Sequence, residues 1–220
     1  MARVIIFGVQ DFAALAEFYL RHDSAHEVVA FSVSREHLPD GQEFRGYPVI
    51  PFEEIEHNCL PTEYSFFAPM SPRRMNRVRQ GVYDQIKAKG YPLITYISSK
   101  ATTWPDTDVG ENCFILEDNT IQPFTRIGNN VMVWSGNHIG HHSVIEDHVM
   151  LTSHVVVSGH CRIGAFAYLG VNSTVRDGLH VAEGTLVAMA AAIERDTEPW
   201  GVYQGNPAIK RKASSRDLKL

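Results

Sequence analysis

The chain has 220 residues, of which 44% are hydrophobic and 20% are charged, with a formal net charge of −5. This length suits one large domain or two small ones, and the mild acidity without a basic stripe argues against a nucleic-acid groove or an anionic membrane surface as the main partner. No apolar run approaches the roughly 20 residues needed to cross a bilayer, the N-terminus lacks the pattern of a secretory signal, and the three cysteines lie far apart, so we expect a cytoplasmic protein without disulfides or a cysteine zinc site.

The first part of the chain alternates between predicted strands and helices. The apolar run Arg3–Phe7 is typical of a buried parallel strand, and apolar side chains at helical spacing follow over residues 11–20. Further strands are predicted over residues 28–33, 64–68 and 92–97, and a second helix over residues 73–89. This order predicts a small doubly wound, Rossmann-like α/β domain.

A different pattern, with a period of six residues, begins at Val109. A branched aliphatic residue occupies this position in fifteen consecutive hexads: Val109, Ile115, Ile121, Ile127, Val133, Ile139, Ile145, Leu151, Val157, Ile163, Leu169, Val175, Val181, Val187 and Ile193. A period of six fits neither a helix nor one long strand, but it fits short strands joined by tight turns. The pattern predicts a parallel β-helix with three hexads, or roughly eighteen residues, to a coil, with the aliphatic side chains pointing inward.

The other hexad positions fit the same fold. Four residues after each aliphatic residue a small or modest side chain is usual, as at Cys113 and Ser143, and we expect it inside the coil. Polar residues such as those at 117–118 and 129–130 fall at corners, where positive φ angles are tolerated.

The domain bounds follow from this register. The α/β domain is expected over residues 1–100 and the β-helix over residues 101–198, because the hexads end after Ile193. The segment at residues 199–220 begins with turn-forming residues. Its basic residues are Lys210, Arg211 and Lys212. It predicts a C-terminal turn and a basic tail that is either a short helix or poorly ordered.

The hexads, together with Gly205-Asn206-Pro207-Ala208 after them, resemble the hexapeptide-repeat acyltransferases. That family forms a left-handed β-helix and works as trimers. An α/β domain ahead of such a helix resembles the sugar acyltransferases of the NeuD and PglD type, which acetylate sialic acids or amino groups on nucleotide-linked deoxysugars. The resemblance implies a homotrimer with acetyl-CoA as co-substrate, a nucleotide-linked amino sugar as acceptor, and no metal.

The family carries its catalytic base in a pattern of the form His-x-x-x-Ile-Gly-Asp, which matches residues 141–147 here. The resemblance gives His141 the role of general base, and an imidazole with an unperturbed pKa of about 6.5 suits proton removal near neutral pH. Family members often have an acidic residue directly after the base, where this chain has His142. Either His142 or Asp147 orients His141, or there is no such pair. Gly159, eighteen residues after His141, is the candidate to donate its backbone N–H to the oxyanion.

Six of the 11 histidines fall between His138 and His160. Four of them share one outward-facing corner slot of the hexad: His142, His148, His154 and His160. We expect His148 and His154 to be solvated or to lie at the trimer interface. His138 and His160 are candidates to line the cleft beside His141 and to contact the acceptor substrate.

Acetyl-CoA in this family lies in the groove between neighbouring β-helices. The positions that match its contacts here are Met150, Gly159, Val171 and Met189. Met150 replaces a residue that is often histidine in the family, so a polar side-chain contact is not expected there. Lys210 and the two basic residues after it either meet the CoA phosphates or form a solvated, charged tail.

The α/β domain is implied to hold the nucleotide of the sugar substrate, at the mouth of the first helix, where pyrophosphate can bind. The candidate contacts there are Gly8 and the backbone amides of Gln10, Asp11 and Phe12. Ser34 follows the second strand where the family has an acidic residue, and Ser71 in the third-strand loop is a further candidate. The alternative is a degenerate domain that no longer binds nucleotide.

These features lead to an acetyl-CoA-dependent N-acetyltransferase that acts on the amino group of a nucleoside-diphosphate-linked amino-deoxy sugar, by direct attack in a ternary complex with His141 as base. O-Acetylation of a sugar hydroxyl, as on sialic acids, is the nearest alternative and would use the same machinery. Two hypotheses come from other classes: a zinc enzyme like the γ-class carbonic anhydrases, whose trimers bind zinc through three histidines, and a β-helix that serves as a non-catalytic scaffold.

Overall fold

The computed structural model describes residues 1–217 and contains an α/β unit followed by a β-helix. The elements of the α/β unit are β1 (Arg3–Phe7), α1 (Asp11–Asp23), β2 (Glu27–Val33), β3 (Glu43–Phe44), β4 (Tyr47–Pro51), α2 (Ile55–Asn58), β5 (Tyr64–Phe67) and α3 (Arg77–Ala88), with short 3-10 helices at Arg35–His37, Asp40–Gln42 and Phe52–Glu54. The sheet has the order β3-β4-β2-β1-β5, and its strands are parallel apart from the β3–β4 hairpin. Within the described part of the chain, no helix combines the length and the apolar character needed to cross a membrane.

The central strand β1 explains why this sheet forms. Val4, Ile5 and Ile6 are fully buried, so both faces of the strand are covered, as a doubly wound parallel sheet requires. Ala16 of α1 packs in the cluster of Val4 and Ile6, whereas Ile86 of α3 packs in the cluster of Ile5. The predicted α/β class is confirmed.

Two local features of this unit differ from the sequence-based expectation. The β3–β4 hairpin has no counterpart among the predicted strands, because β3 has two residues and carries no alternating pattern. The second long helix begins at Arg77 instead of residue 73. Arg74, Met75 and Asn76 adopt positive φ angles of 52°, 52° and 62°, which helical residues cannot have.

The strand predicted at residues 92–97 is expected in the α/β sheet, but its last two residues pair with the β-helix. Its extended part, β6 (Tyr96–Ile97), pairs with Phe114–Ile115 of the β-helix, eighteen residues further on. Leu93 makes a single bridge to Phe66 of β5. The segment therefore leaves the α/β sheet after one bridge and starts the first coil of the β-helix.

The β-helix consists of fifteen strands of two residues, and each ends on a hexad aliphatic residue. They are β7 (Asp108–Val109), β8 (Phe114–Ile115), β9 (Thr120–Ile121), β10 (Arg126–Ile127), β11 (Met132–Val133), β12 (His138–Ile139), β13 (Val144–Ile145), β14 (Met150–Leu151), β15 (Val156–Val157), β16 (Arg162–Ile163), β17 (Tyr168–Leu169), β18 (Thr174–Val175), β19 (His180–Val181), β20 (Leu186–Val187) and β21 (Ala192–Ile193). Strands pair in parallel with strands eighteen residues away, as Met132 pairs with Met150 and Met150 with Tyr168. The predicted three hexads per coil are confirmed.

The strands form three faces, which we call faces I, II and III. Face I contains β7, β10, β13, β16 and β19; face II contains β6, β8, β11, β14, β17 and β20; face III contains β9, β12, β15, β18 and β21. The hexad aliphatics fill the interior, and Ile139, Ile145 and Leu151, one from each face, are fully buried. The third residue after each aliphatic, which we call the corner slot, often takes a positive φ, as at Asn130 (56°) and His154 (59°).

Face II carries the contact between the two units. Its outward-facing Phe114, Met132 and Met150 are buried in one apolar cluster with Val4 and Phe67 of the α/β sheet. Met150 is 4% exposed, so it is not available to a groove between β-helices. The prediction that Met150 contacts acetyl-CoA is therefore wrong.

A fully buried arginine on α3 ties the units together further. Arg79 donates to the backbone carbonyls of His148 and Val149, at 3.1 and 3.2 Å, and to Oδ1 of Asn76 at 3.2 Å. Burial lowers the pKa of Arg79 to about 9. The carbonyl dipoles of the β-helix thus hold the charge of this side chain inside the protein.

Side chains in four successive corner slots between faces I and II, together with a tryptophan ring that lies over Gly184 in the fifth slot, form a continuous column, which we call the corner column. Its members are Asn112, Asn130, His148, Phe166 and, at the top, Trp200. Asn112 Nδ2 donates to Asn130 Oδ1 at 2.8 Å, Asn130 Nδ2 lies 3.0 Å from His148 Nδ1, and the His148 and Phe166 rings stack 4.9 Å apart. His148 is 8% exposed, and burial lowers its pKa. The expectation that His148 is solvated or at a trimer interface is wrong, because α3 covers this corner.

After β21 the chain forms a hairpin on face II. β22 (Gly201–Gln204) pairs in parallel with β20 and antiparallel with β23 (Ile209–Ser214), and a 3-10 helix at Ser215–Asp217 follows. The expected turn and loose basic tail are therefore a β-hairpin up to Ser214. The end of the predicted tail, residues 218–220, lies outside the described residues.

Candidate active site

Three histidines meet at the corner between faces III and I, which we call the histidine corner. They are His141, His142 and His160, and all three are exposed. His141 and His142 follow β12, and His160 lies one coil further on in the same corner slot as His142. The His160 N–H donates to the His141 carbonyl at 2.9 Å, and His142 and His160 share a φ of 58°. The coil repeat therefore brings the three imidazoles to one place.

The rings at this corner are mutually ordered. His141 Nδ1 lies 3.1 Å from His142 Nδ1, and the His142 and His160 rings stack with centroids 4.9 Å apart. One of the two facing Nδ1 atoms must donate and the other accept. When His141 donates from Nδ1, its Nε2 keeps a free lone pair, which is the form that a general base needs. His142 then accepts the hydrogen bond, as a carboxylate would.

Gly159 lies against the His141 ring from the next coil. A Cβ atom at residue 159 would stand 2.9 Å from Cε1 and 3.0 Å from Nε2 of His141, closer than side chains ordinarily approach. No acceptor within residues 1–217 takes the Gly159 N–H. A free backbone donor beside a basic nitrogen is suited to a developing oxyanion.

Two residues of this corner were not among the sequence-based candidates. Gln122 Oε1 accepts the backbone N–H of His141 at 2.9 Å, and the exposed Phe124 ring lies 4.6 Å from the His142 ring. Phe124 occupies the corner slot eighteen residues before His142. The hexad register therefore contained the signal for Phe124, whereas nothing in the repeat pointed to Gln122.

Asp147 lies at a different corner, between faces I and II. Its carboxylate accepts the backbone N–H of Asn129 at 2.7 Å. Of the two residues considered for orienting His141, the structure brings His142 into contact, and the alternative with Asp147 is wrong.

Other positions expected to contact acetyl-CoA are exposed. Val171 and Met189 are 40% and 74% exposed and lie eighteen residues apart at the corner between faces II and III. Apolar side chains grouped on a surface suit burial against a ligand or a second chain. Lys210 lies on β23 and forms an ion pair with Glu198, so it belongs to an ordered strand.

The residues expected to hold a nucleotide lie along one edge of the α/β sheet, which we call the sheet edge. They follow the carboxyl ends of three strands: Gly8, Gln10, Asp11 and Phe12 after β1, Ser34 after β2 and Ser71 after β5. Gly8 has a φ of 118°, and its N–H donates to the Ser32 carbonyl at 2.9 Å. Ligands of doubly wound sheets bind at this edge, and α1 directs its N-terminus there.

The sheet edge meets the β-helix at Trp134, which was not among the sequence-based candidates. The Phe12 ring packs edge-on against Trp134 with centroids 5.7 Å apart. Trp134 Nε1 is buried and has no hydrogen-bond partner within residues 1–217. Along the coil, β12 with half-buried His138 connects Trp134 to His141. One strand therefore separates the sheet edge from the histidine corner.

Comparison with known proteins identifies the repeat. Residues 124–159 match the model of the bacterial transferase hexapeptide family, which describes six repeats. Two curated relatives are acyl-[acyl-carrier-protein]–UDP-N-acetylglucosamine O-acyltransferases. The one from Campylobacter concisus is 31% identical over 110 residues, or 47% of this chain, and the one from Gloeothece citriformis is 34% identical over 95 residues, or 43% of this chain. The chain spans 42% and 34% of the length of these relatives.

Solved structures match almost the whole chain. A mutant of perosamine N-acetyltransferase from Caulobacter crescentus, in complex with CoA and GDP-perosamine, has a TM-score of 0.86 at 20% identity and covers 97% of this chain and 98% of that one. The acetyltransferase domain of PglB from Neisseria gonorrhoeae has a TM-score of 0.81 at 19% identity, covering 96% and 100%. This likeness shows the fold, an α/β unit followed by a left-handed β-helix. The matched repeat and this fold are those that the resemblance of the sequence to the hexapeptide-repeat sugar acyltransferases predicts.

Proposed function

We propose that this chain is an acetyl-CoA-dependent N-acetyltransferase that acts on the amino group of a nucleoside-diphosphate-linked amino-deoxy sugar. The proposal rests above all on the His141 imidazole, which lies beside the backbone of Gly159 and faces His142 through Nδ1. Structures with the same fold support it. The Caulobacter crescentus protein is in complex with CoA and GDP-perosamine, and the PglB domain has also been solved in complex with acetyl coenzyme A.

The reaction needs a base, an oxyanion donor and two substrates in one ternary complex. The amine nitrogen attacks the carbonyl carbon of the thioester, and His141 Nε2 takes the proton that the nitrogen loses. The Gly159 N–H donates to the carbonyl oxygen as it becomes negative. The tetrahedral intermediate then expels the CoA thiolate, which takes a proton from the His141 imidazolium. The products are the amide and free CoA, without a covalent enzyme intermediate.

His142 acts as a positioning residue for this base. By accepting from Nδ1 it holds His141 in the tautomer with a free Nε2, and the bond persists when His141 is protonated. A neutral imidazole stabilises the charged base less than a carboxylate would. An amine depends less on the base than a hydroxyl does, because it is the better nucleophile. The paired imidazoles therefore favour an amine acceptor.

The sheet edge supplies the site for the nucleotide. α1 begins at Asp11, and the positive end of its dipole and its first N–H groups favour a pyrophosphate there. Phe12 and Trp134 form the wall between this edge and the coil. We propose that the protein is a homotrimer. A sugar attached to the pyrophosphate extends past this wall toward one of the histidine corners of the trimer.

Acetyl-CoA lies between two β-helices of this homotrimer. Val171 and Met189 offer exposed apolar contacts, and Lys210 and its basic neighbours offer positive charge for the CoA phosphates. The ion pair of Lys210 with Glu198 is partly exposed, so exchanging it for a phosphate contact costs little. The chemistry uses no metal, and acetyl-CoA as co-substrate fits a cytoplasmic enzyme.

The test is acetyl transfer by the full-length chain. CoA release from acetyl-CoA is followed with UDP-, GDP- and dTDP-linked 3- or 4-amino sugars, and the same nucleotides with a hydroxyl in place of the amine are the matched controls. We expect release with an amino sugar, and a product that carries one acetyl group on nitrogen by mass spectrometry. Absence of transfer to every amino sugar in the panel would overturn the proposal.

O-Acetylation of a sugar hydroxyl is the second candidate. The observation in its favour is that the curated relatives are named as O-acyltransferases. Their matched segments cover 47% and 43% of this chain, whereas the N-acetyltransferase fold covers 97% of it. Faster CoA release with the hydroxyl sugars than with the amino sugars would favour this candidate.

A further inference from the structure

The proposed reaction uses two of the three imidazoles at the histidine corner. His141, His142 and His160 each have a ring nitrogen that can serve as a metal ligand, and three such nitrogens, one from each residue, lie within 4.8 Å of one another. We propose that the histidine corner is also a reversible binding site for one divalent transition-metal ion, Zn²⁺ above all, and that the bound ion switches the acetyl transfer off. The regulatory part of this proposal rests on the proposed function; the binding part does not.

The spacing of the nitrogens fits a zinc ion. Tetrahedral zinc with bonds of about 2.0–2.1 Å to nitrogen keeps its ligand atoms about 3.3 Å apart. His141 Nδ1 and His142 Nδ1 already lie 3.1 Å apart. Separations of up to 4.8 Å within the set of three nitrogens decrease when the exposed side chains rotate, with the His160 ring turning out of its stack on His142.

The backbone that carries the three ligands is already in place. His141 and His142 are adjacent, and the His160 N–H holds the next coil to the His141 carbonyl at 2.9 Å. Ordering the backbone is therefore not part of the cost of binding, and side-chain rotamers are what remains to be fixed. Because the three side chains are exposed, water can supply the fourth ligand.

The ligand chemistry selects the class of ion. Neutral imidazoles bind zinc, copper and nickel well, whereas magnesium and calcium require oxygen ligands. The set contains three imidazoles and no carboxylate or thiolate. All three side chains are exposed and must lose rotamer freedom when they bind, which favours reversible binding over a permanent structural metal.

Binding of the ion removes the base. An ion on Nε2 of His141 takes the lone pair that would accept the substrate proton. An ion on Nδ1 fixes the other tautomer, so Nε2 carries a proton and again has no lone pair. Either mode stops the reaction, and removal of the ion restores it.

Zinc binding to the full-length, chelator-treated protein is measured by calorimetry, without substrates, and the visible absorption of added Co²⁺ reports the coordination geometry. We expect one ion per chain in the wild type and binding weaker by at least about tenfold in His160→Asn. Asparagine suits this position, because Asn112, Asn130 and Asn172 occupy the same corner slot with φ angles of 55°, 56° and 59°. His154→Asn is the matched control, since His154 has the same slot and exposure at another corner, and it should bind zinc like the wild type.

Absence of binding, or equal binding by wild type and His160→Asn, would overturn the site. Unchanged melting temperatures of both variants show that a loss of binding is not a loss of folding. In the transfer assay, CoA release by the wild type should fall as zinc fills the site and return with excess chelator. Full turnover at saturating zinc would overturn the inhibition. A protein that binds zinc as described but transfers no acetyl group would instead overturn the proposed function and support the metal site.

Discussion

The imidazole of His141 and the backbone of Gly159 occupy a space that leaves no room for a side chain at residue 159. A Cβ atom there would lie 3.0 Å from His141 Nε2. Gly159→Ala must therefore displace the ring, and we expect turnover to fall by about 100-fold, as misplacement of a reacting group by an ångström does. The control is Gly81→Ala on α3, where nothing lies within 4 Å of the added atom. Wild-type turnover in Gly159→Ala would show that the base does not lie against this backbone during the reaction.

Replacing the base itself tests the mechanism directly. His141→Asn keeps a side chain of similar shape but cannot accept the proton, so we expect kcat to fall by about 10²–10⁴-fold. The melting temperature should stay within a few degrees, because the His141 side chain is exposed. His57→Asn, at an exposed position on α2, should leave kcat unchanged. A His141→Asn enzyme with near-normal kcat would rule out His141 as the base.

The role of His142 is separable from that of His141. Asp118 and Ala190 occupy the same corner slot with φ angles of 59° and 57°, so His142→Asp and His142→Ala introduce no backbone strain. We expect His142→Ala to lower kcat by about tenfold or more with little change in the KM for acetyl-CoA, because the tautomer of His141 is no longer fixed. His142→Asp should rescue most of the activity, since a carboxylate accepts the same hydrogen bond. Equal losses in both variants would contradict an orienting role.

We expect His148 to make the stability of the fold depend on pH. Burial lowers its pKa in the folded chain; of the charges around it, Arg79 lowers the pKa further, while Asp147 and Asp84 raise it. In the unfolded chain the pKa is about 6.5. The unfolded state therefore binds the proton more tightly, and the free energy of unfolding decreases as the pH falls below about 6.5 toward the folded-state pKa.

Denaturant unfolding at a series of pH values between about 8 and 5 measures this dependence. His148→Asn places in the column the residue type that already fills the slot below it, at Asn130, and removes the titrating group. We expect a smaller loss of stability toward low pH in His148→Asn than in the wild type. Identical pH dependence of the two proteins would show that His148 does not titrate between the folded and unfolded states in this range.

The contact between Phe12 and Trp134 predicts a selective effect on the nucleotide sugar. Loss of this packing, about 0.5–1.5 kcal/mol, loosens the mouth of α1 in the free protein, and the nucleotide must reorder it on binding, so we expect a rise in KM of about 2- to 10-fold. Phe12→Ala should raise the KM for the nucleotide sugar and leave the KM for acetyl-CoA unchanged. Phe18→Ala is the control, because Phe18 lies on the same helix with 48% of its surface exposed. A change in the acetyl-CoA constant alone would place the co-substrate, not the nucleotide, at the sheet edge.

The β-helix could be predicted from the sequence because the six-residue pattern depends only on residues that are close together along the chain. The side chain of Ile139 must point inward and those of the residues after it must turn a corner, whatever lies outside the coil. The same register relates His141 to Gly159, since eighteen residues return the chain to the same corner. Residues that are distant in the sequence determine what covers the outside of each face. His148 and His154 have equivalent slots, yet α3 covers His148 and leaves His154 exposed.

The contacts between the two units are the part that local patterns could not predict. The hexad pattern predicts only that the Met150 side chain points outward. It is buried because the α/β sheet lies on face II. Trp134 follows the same pattern, and its partner Phe12 stands more than a hundred residues earlier. For β6, two residues of strand can pair with either sheet, and the first coil of the β-helix offers the better partner. In each case a long-range contact decides among local possibilities.

The eighteen-residue pairing of the coils also limits how the length of this chain can change. Deleting one residue between Ile139 and Val157 would shift every later strand by one position against the coil before it, and would turn inward-facing aliphatics outward. Insertions at a corner should be tolerated better than deletions, because extra residues can loop out there without disturbing the strands on either side. Variation in length is therefore expected as corner loops or as the gain or loss of whole coils. Loss of the coil that begins after His141 would also remove Gly159 from the base.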